Sequence, residues 1–280
     1  MNIGIIGNGF VGQATQILKC KKNHLFIYDI DPAKCSPSGT TLETLSCCQI
    51  IFISVPTPMD STGRNHLGIV ESVVNQLKSI INPKKTQIVI RSTVLPGTSD
   101  KLGCYFMPEF LTEKNWANDF KKCKNWIFGL LNDNKQFKEN ITTIFRNAYE
   151  EGKIDSDSLH FVENSEAEMI KYFRNCYLAL KVSFCNEVAS LCEKKGINYE
   201  NVRRLAVLDD RIGGSHSAVP GHDGRRGYGG TCFPKDTLAL LREFEDSEVD
   251  SYVLRGAIER NTKVDRPEQD WTENVGRAVL

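Results

Sequence analysis

The sequence has no surplus of charge: lysine and arginine number 35, as do aspartate and glutamate, for a formal net charge of zero. No overall field therefore draws the chain to nucleic acid or to an anionic membrane. It also has no apolar run long enough to span a bilayer. The opening residues, Met1-Asn2-Ile3-Gly4-Ile5-Ile6, read as a strand entering a glycine loop and leave no room for a targeting segment. Paired Cys-x-x-Cys units are missing and the five histidines are scattered, so no metal site is expected. The ten cysteines are spread over 280 residues, which suits reduced thiols in the cytoplasm rather than a disulfide scaffold. Cys47, Cys48, Cys185 and Cys192 lie in apolar patterns and are expected to fill core space. There is no internal repeat and no low-complexity tract.

What is present divides into two patterns. Short apolar runs at 3–6, 24–28, 50–55, 87–90, 104–106 and 126–130 alternate with helical stretches. That rhythm predicts an α/β domain over residues 1–160, a Rossmann-type doubly wound parallel sheet. From Ser165, Ile170, Phe173, Tyr177, Leu180, Phe184, Val188 and Leu191 share one side of a helix running to about Lys195. Ser165 and Glu168 are spaced as a capping box, and Gly196 is placed to end the helix. This long helix is expected to be the spine of an all-α central domain, residues 161–266, and to form a homodimer interface. A glycine-rich loop over 213–230 precedes helices after Asp236 and from Val253 to about Val264, and the tail 267–280 is polar and expected to be weakly ordered.

Several residue groups carry chemistry. Gly7-Asn8-Gly9-Phe10-Val11-Gly12 follows a strand and opens a helix, the context in which G-x-G-x-x-G admits a dinucleotide pyrophosphate. Asp29 ends the next strand, where a carboxylate accepts a ribose 2′-hydroxyl and repels a 2′-phosphate, favouring NAD over NADP. Lys171 and Asn175, four apart on the long helix, suit a developing oxyanion, although a lone helical lysine is more often solvated. Glu109 and Glu113 follow a strand and read either as catalytic acids or as the acidic first turn of a helix. In Gly229-Gly230-Thr231-Cys232-Phe233-Pro234-Lys235-Asp236 a cysteine follows a glycine pair and precedes a cation and a proton acceptor. Such a setting favours a nucleophilic thiolate, against the plain alternative of a small buried side chain.

Together these residues resemble the UDP-glucose/GDP-mannose dehydrogenase family over nearly the whole chain. The octapeptide around Cys232 is the specific part, supported by Ser54-Val55-Pro56-Thr57-Pro58, Ser92-Thr93-Val94, Pro108-Glu109-Phe110-Leu111, Lys171 to Asn175 and Asp210-Arg211-Ile212-Gly213. The resemblance implies oxidation of a sugar C6 alcohol to the uronic acid with two NAD reduced, through a thiohemiacetal and a thioester on Cys232. Lys171 and Asn175 would then stabilise the oxyanion, Asp236 would assist proton transfer with water, Glu109 would promote thioester hydrolysis, Thr93 would hold a water and Glu113 would lie near the nicotinamide. NAD would be bound by Gly7, Gly9, Phe10, Val11, Gly12, Asp29, Val55, Thr57, Thr93, Glu113 and Lys235. The nucleotide sugar, UDP-glucose by default, would meet Glu109, Phe110, Leu111, Lys171, Asn175, Arg225, Tyr228, Gly229 and Cys232.

Members of that family usually continue into a third, nucleotide-closing domain, which this sequence does not reach. Arg225 and Arg226 are read either as replacement phosphate contacts or as solvated loop arginines. Two other functions fit parts of the pattern. A two-electron β-hydroxyacid dehydrogenase also combines a Rossmann domain, a long helix and a lysine-x-x-x-asparagine pair, but has no need of Cys232. A non-catalytic homologue that binds nucleotide without turnover is the other.

Overall fold

The computed structural model describes residues 1–280, which divide into two compact units: Met1–Thr57 with Leu67–Lys171, and Pro58–His66 with Tyr172–Leu280. The division falls inside the long helix, and the short segment 58–66 belongs to the second unit.

The first unit holds seven strands: β1 (Asn2–Ile6), β2 (His24–Tyr28), β3 (Ile50–Ile53), β4 (Gln87–Ile90), β5 (Tyr105–Phe106), β6 (Trp126–Leu130) and β7 (Leu159–Glu163). Its helices are α1 (Phe10–Thr15), α2 (Gly68–Ile80), α3 (Thr98–Lys101), α4 (Trp116–Lys121) and α5 (Lys135–Glu150). The sheet order is β2-β1-β3-β4-β5-β6-β7. Neighbours are parallel except β5 and β6, which pair antiparallel at Phe106 and Gly129. A wholly parallel sheet is thus not what forms: residues 107–125 contain only the six-residue α4, with no full-length crossover helix to restore the strand direction. Strand β7, which lies outside the apolar runs expected to form the sheet, extends the edge alongside β6.

The strands are apolar on both faces because both faces are covered. Ile3, Phe52 and Val89 join Phe128, Phe137, Ile141 and Phe145 in one core. Ile51, Ile53, Ile88 and Ile90 alternate to the other side and pack with Val70, Val74 and Leu77 of α2. Cys48 is buried as expected, but Cys47 is exposed; the chain turns out of the core there before β3 begins.

The second unit takes most of α6 (Asn164–Lys195), followed by α7 (Tyr199–Ala206), α8 (Phe233–Asp246) and α9 (Tyr252–Arg260). Gly196 follows α6 with φ +66°, a left-handed backbone that stops the helix. Beyond the fully buried Tyr172, the buried side of α6 within this unit is small or polar: Asn175, Cys176, Ala179, Ser183, Asn186, Ala189 and Cys192. The apolar residues read from the sequence do share a side, but that side faces out, with Phe173 67% and Phe184 66% exposed and Tyr177 and Leu191 also exposed. The tail is ordered rather than loose. Trp271 and Ala278 are buried, and Met59 bonds to the tail through its backbone, its N–H donating to Ala278 O and its carbonyl accepting from the Leu280 N–H. No helix is long and apolar enough to cross a membrane.

Candidate active site

In the first unit the three fingerprint glycines have separate reasons to lack a side chain. Gly7 has φ +86°, and a Cβ there would come within 2.4 Å of Ser54 O. At Gly12 a Cβ would meet Gly7 O at 1.9 Å, so the helix can lie close to the loop only with glycine. Around Gly9 nothing lies within 4 Å, which leaves open the space that a pyrophosphate requires. Phe10 and Val11 start α1, whose first turn has no side-chain cap on its N–H groups. Asp29 sits beside this loop, with Oδ2 accepting from the Asn8 N–H at 2.7 Å and Oδ1 from the Asp31 N–H at 2.9 Å. Its position is fixed by backbone, and its remaining lone pairs suit a ribose hydroxyl. These residues fit a dinucleotide.

The carboxyl ends of β3 and β4 are tied together next to them. The Val55 N–H donates to Ser92 Oγ at 3.0 Å, and the Ser92 hydroxyl donates to Val55 O at 2.7 Å. Thr57 is buried, Thr93 half-buried and Glu113 exposed.

Lys171 and Glu109 are brought together in a buried ion pair, with side chains only 3% and 5% exposed. Lys171 Nζ donates to Glu109 Oε1 at 2.5 Å and to Glu109 O at 2.8 Å, and lies 5.9 Å from the Phe110 ring centre. The second carboxylate oxygen accepts from the Leu111 N–H at 2.9 Å. The lysine is therefore not a solvated one, and Glu109 is not in the first turn of a helix.

Arg91, which the sequence reading passed over, is fully buried at the end of β4. It donates to Thr15 Oγ1 and sits 5.6 Å from the Phe120 ring centre. Burial pushes its pKa down to about 10, opposed by the negative charge of Glu109. A charged residue directly after the apolar run Ile88-Val89-Ile90 was the available signal.

In the second unit Cys232 occupies the N-cap of α8, with Pro234 in the first turn. The thiol is half-buried, 3.8 Å from Thr231 Oγ1. The positive end of a 14-residue helix therefore begins at this residue. Lys235 is itself ion-paired. Its Nζ donates to Asp236 Oδ1 at 2.7 Å, while Asn175 Nδ2 donates to Asp236 Oδ2 at 2.6 Å, and all three side chains are buried. Asp236 is thus held by both oxygens.

Tyr228 is buried with its ring edge-on to Phe233, and burial pushes its phenol up to about 12, so it stays neutral. Gly229 adjoins it in the same loop. His216, also passed over, packs near Phe233 at 5.6 Å, and burial, with Lys181 and His222 adding to it, lowers its pKa. Arg225 and Arg226 are not simply solvated: each is ion-paired, and Arg225 remains half exposed. Arg225 donates to Asp270 at 3.0 Å and Glu268 at 3.4 Å, and Arg226 to Ser190 at 3.0 Å and to Glu193. No group of three or more histidine, cysteine, aspartate or glutamate side chains is arranged to hold a metal ion, and all ten cysteines are thiols.

Comparison with known proteins agrees with this picture. The profile of the UDP-glucose/GDP-mannose dehydrogenase family NAD binding domain matches residues 36–149, and that of its central domain residues 165–263. A UDP-glucose 6-dehydrogenase of Rickettsia bellii is 30% identical over 93% of this chain and 67% of its own length. The chain spans about two thirds of the length of such curated relatives. Among solved structures, a UDP-glucose dehydrogenase from Pyrobaculum islandicum superposes with a TM-score of 0.77 at 25% identity, covering 93% of this chain and 67% of that one. A 3-hydroxyisobutyrate dehydrogenase from Mycobacterium tuberculosis shares the fold, with a TM-score of 0.70 at 13% identity over 94% of this chain and 92% of that one.

Proposed function

Because the chain belongs to the UDP-glucose/GDP-mannose dehydrogenase family, we propose that it oxidises the C6 alcohol of a nucleotide sugar, UDP-glucose by default, to the uronic acid. The observation that carries this reading is Cys232 at the N-terminus of α8, with Asp236 clamped between Lys235 and Asn175 one turn on.

Bound NAD serves as hydride acceptor, twice per turnover. The Cys232 sulfur adds to the aldehyde carbon left by the first oxidation, which makes a tetrahedral centre able to lose a second hydride and keeps the aldehyde from escaping. The thioester that results is cleaved by water, and the thiolate leaves. Lys171, held by its bonds to Glu109, stabilises the developing oxyanion. Asn175 shares that role, Asp236 moves a proton with water, and Glu109 promotes the hydrolysis. Thr93 holds a water and Glu113 lies near the nicotinamide. Phe110, Leu111, Tyr228 and Gly229 are assigned as substrate contacts. Arg225 is assigned as a phosphate contact, with one terminal nitrogen bonded to Asp270 and its side chain half exposed.

The outward apolar side of α6 supports a homodimer through that helix, and the ten thiols suit the cytoplasm.

The test is product stoichiometry on UDP- and GDP-sugars. The expected result is two NADH per uronate, with acid formation abolished by Cys232→Ser. One NADH per turnover, unaffected by that substitution, favours a two-electron β-hydroxyacid dehydrogenase instead. NAD binding without turnover favours a non-catalytic homologue.

A further inference from the structure

The chain leaves α9 through a five-residue π-helical turn, Asn261–Asp265, closed by the Arg266 N–H donating to Asn261 O at 2.8 Å. A bond from residue i+5 to residue i places Asn261 and Arg266 on the same side of the chain, where an α-helix would put Asn261 above Asp265. That side meets the loop leading to Cys232.

Asn261 is fully buried and uses both ends of its amide on one residue. The Tyr228 N–H donates to its Oδ1 at 2.8 Å, and its Nδ2 donates to Tyr228 O at 2.9 Å. A neighbouring strand would offer the same pair of bonds. The glycines on either side complete the fit. A Cβ at Gly227, where φ is +67°, would lie 2.3 Å from Asn261 Oδ1, and one at Gly229 would lie 2.5 Å from Arg266 Cζ. The guanidinium is thus pressed against the loop backbone. It is held there by two bonds of 2.7 Å to Asp270 and one of 2.7 Å to Asp223. The hydrogen bonds to Asp270 are the chief reason its pKa is raised, so it remains charged. Only Gly230 and Thr231 separate this clamp from Cys232.

We infer that Asn261 and Arg266 are positioning residues for the nucleophile: they hold Gly227-Tyr228-Gly229 so that the Cys232 thiol stays at the end of α8. They act through the loop, which they grip at Tyr228 and Gly229. Asp270 and the buried Trp271 next to it make the C-terminal segment part of this support.

The test uses the full chain with Asn261→Ala, Arg266→Met and the milder Arg266→Lys, which keeps a charge but not the flat fork. Lys263→Ala, on the outer side of the same turn, is the control. Alkylation of the native protein by iodoacetamide is followed at each cysteine by mass spectrometry. Freed of its clamp, the loop is expected to expose Cys232 about tenfold more often in the clamp variants. Buried Cys176 and Cys192 stay protected, and the control behaves as the parent.

A second readout rests on the thioester reading above: aldehyde released per uronate rises, because a misplaced sulfur retains less of the intermediate. General destabilisation would lower both oxidations equally and leave that ratio alone. Parental Cys232 reactivity in the variants, or parallel opening of Cys176 and Cys192, overturns the proposal. Failure of the parent to oxidise any nucleotide sugar removes the catalytic reading and leaves the alkylation result standing.

Discussion

Replacing Lys171 by methionine removes the cation from a pair whose two side chains are 3% and 5% exposed and 2.5 Å apart. Breaking a buried pair from one side costs about 3–5 kcal/mol, because the remaining charge is left in a poor solvent. Here Glu109 keeps some compensation. The buried Arg91 guanidinium interacts with its charge, and the Leu111 N–H still donates to it. The expected loss is therefore near the lower end, about 3 kcal/mol. Lys171→Met combined with Glu109→Leu takes away both charges, so the cost falls by at least about 1.5 kcal/mol below the sum of the singles.

Urea denaturation read by tryptophan fluorescence measures this. Trp116 and Trp126 lie in the first unit and Trp271 in the second, so a Trp271→Phe background confines the signal to the unit that holds the pair. All three variants are expected to be inactive, which makes stability the informative quantity. A cost for Lys171→Met under about 1 kcal/mol, or strict additivity in the double variant, would refute a buried, mutually compensated pair.

Glu168 accepts from the Gly97 N–H at 2.6 Å and the Ser99 N–H at 2.8 Å, so Glu168→Ala strands two backbone donors. The expected loss on denaturation is about 2–5 kcal/mol, and one below about 1 kcal/mol would contradict the assignment. Gly9→Ala is expected to keep the parental thermal midpoint and to weaken NAD binding by calorimetry at least about tenfold, since only the ligand's space is filled. Gly12→Ala, with its clash against Gly7 O, is expected to lower the midpoint itself. His216 has its pKa lowered by burial, so the fold prefers the neutral ring. Its contribution is complete above the ordinary value of about 6.5 and is lost as pH falls through the lower folded value. Compared with His216→Asn, which tolerates the local φ of 59°, the parent is expected to lose stability on acidification to about pH 5. Parallel pH profiles would rule this out.

The parts of the fold legible in the sequence were those in which a buried surface imposes a period. Ile3 to Ile6, Ile50 to Ile53 and Gln87 to Ile90 are covered on both faces and read as nearly continuous apolar runs. Strand β7, Leu-His-Phe-Val-Glu at the edge, has no fully buried residue and carries no such run. The period of α6 located its apolar side but not the side its own unit covers. Small residues such as Ala179, Ser183 and Ala189 leave little hydrophobic signal, yet they permit close packing. Glu168 matched a capping spacing, but the acid that reaches back is Glu166, which accepts from the Glu163 N–H at 2.9 Å. Glu168 is engaged with a loop about seventy residues earlier, a pairing that no local pattern encodes. Within the site, Cys232, Asp236, Lys171 and Glu109 were visible as types at spacings. The partners of Lys235, and the support given by Asn261 and Arg266, depend on tertiary approach and were not.

Asp29, held by the backbone of Asn8 and Asp31 at the end of β2, has a consequence beyond affinity. Both of its oxygens are anchored by main chain, so no rotation of the carboxylate about its own bonds is free of cost, and in the proposed cofactor role the negative charge would stay where a 2′-phosphate would have to sit.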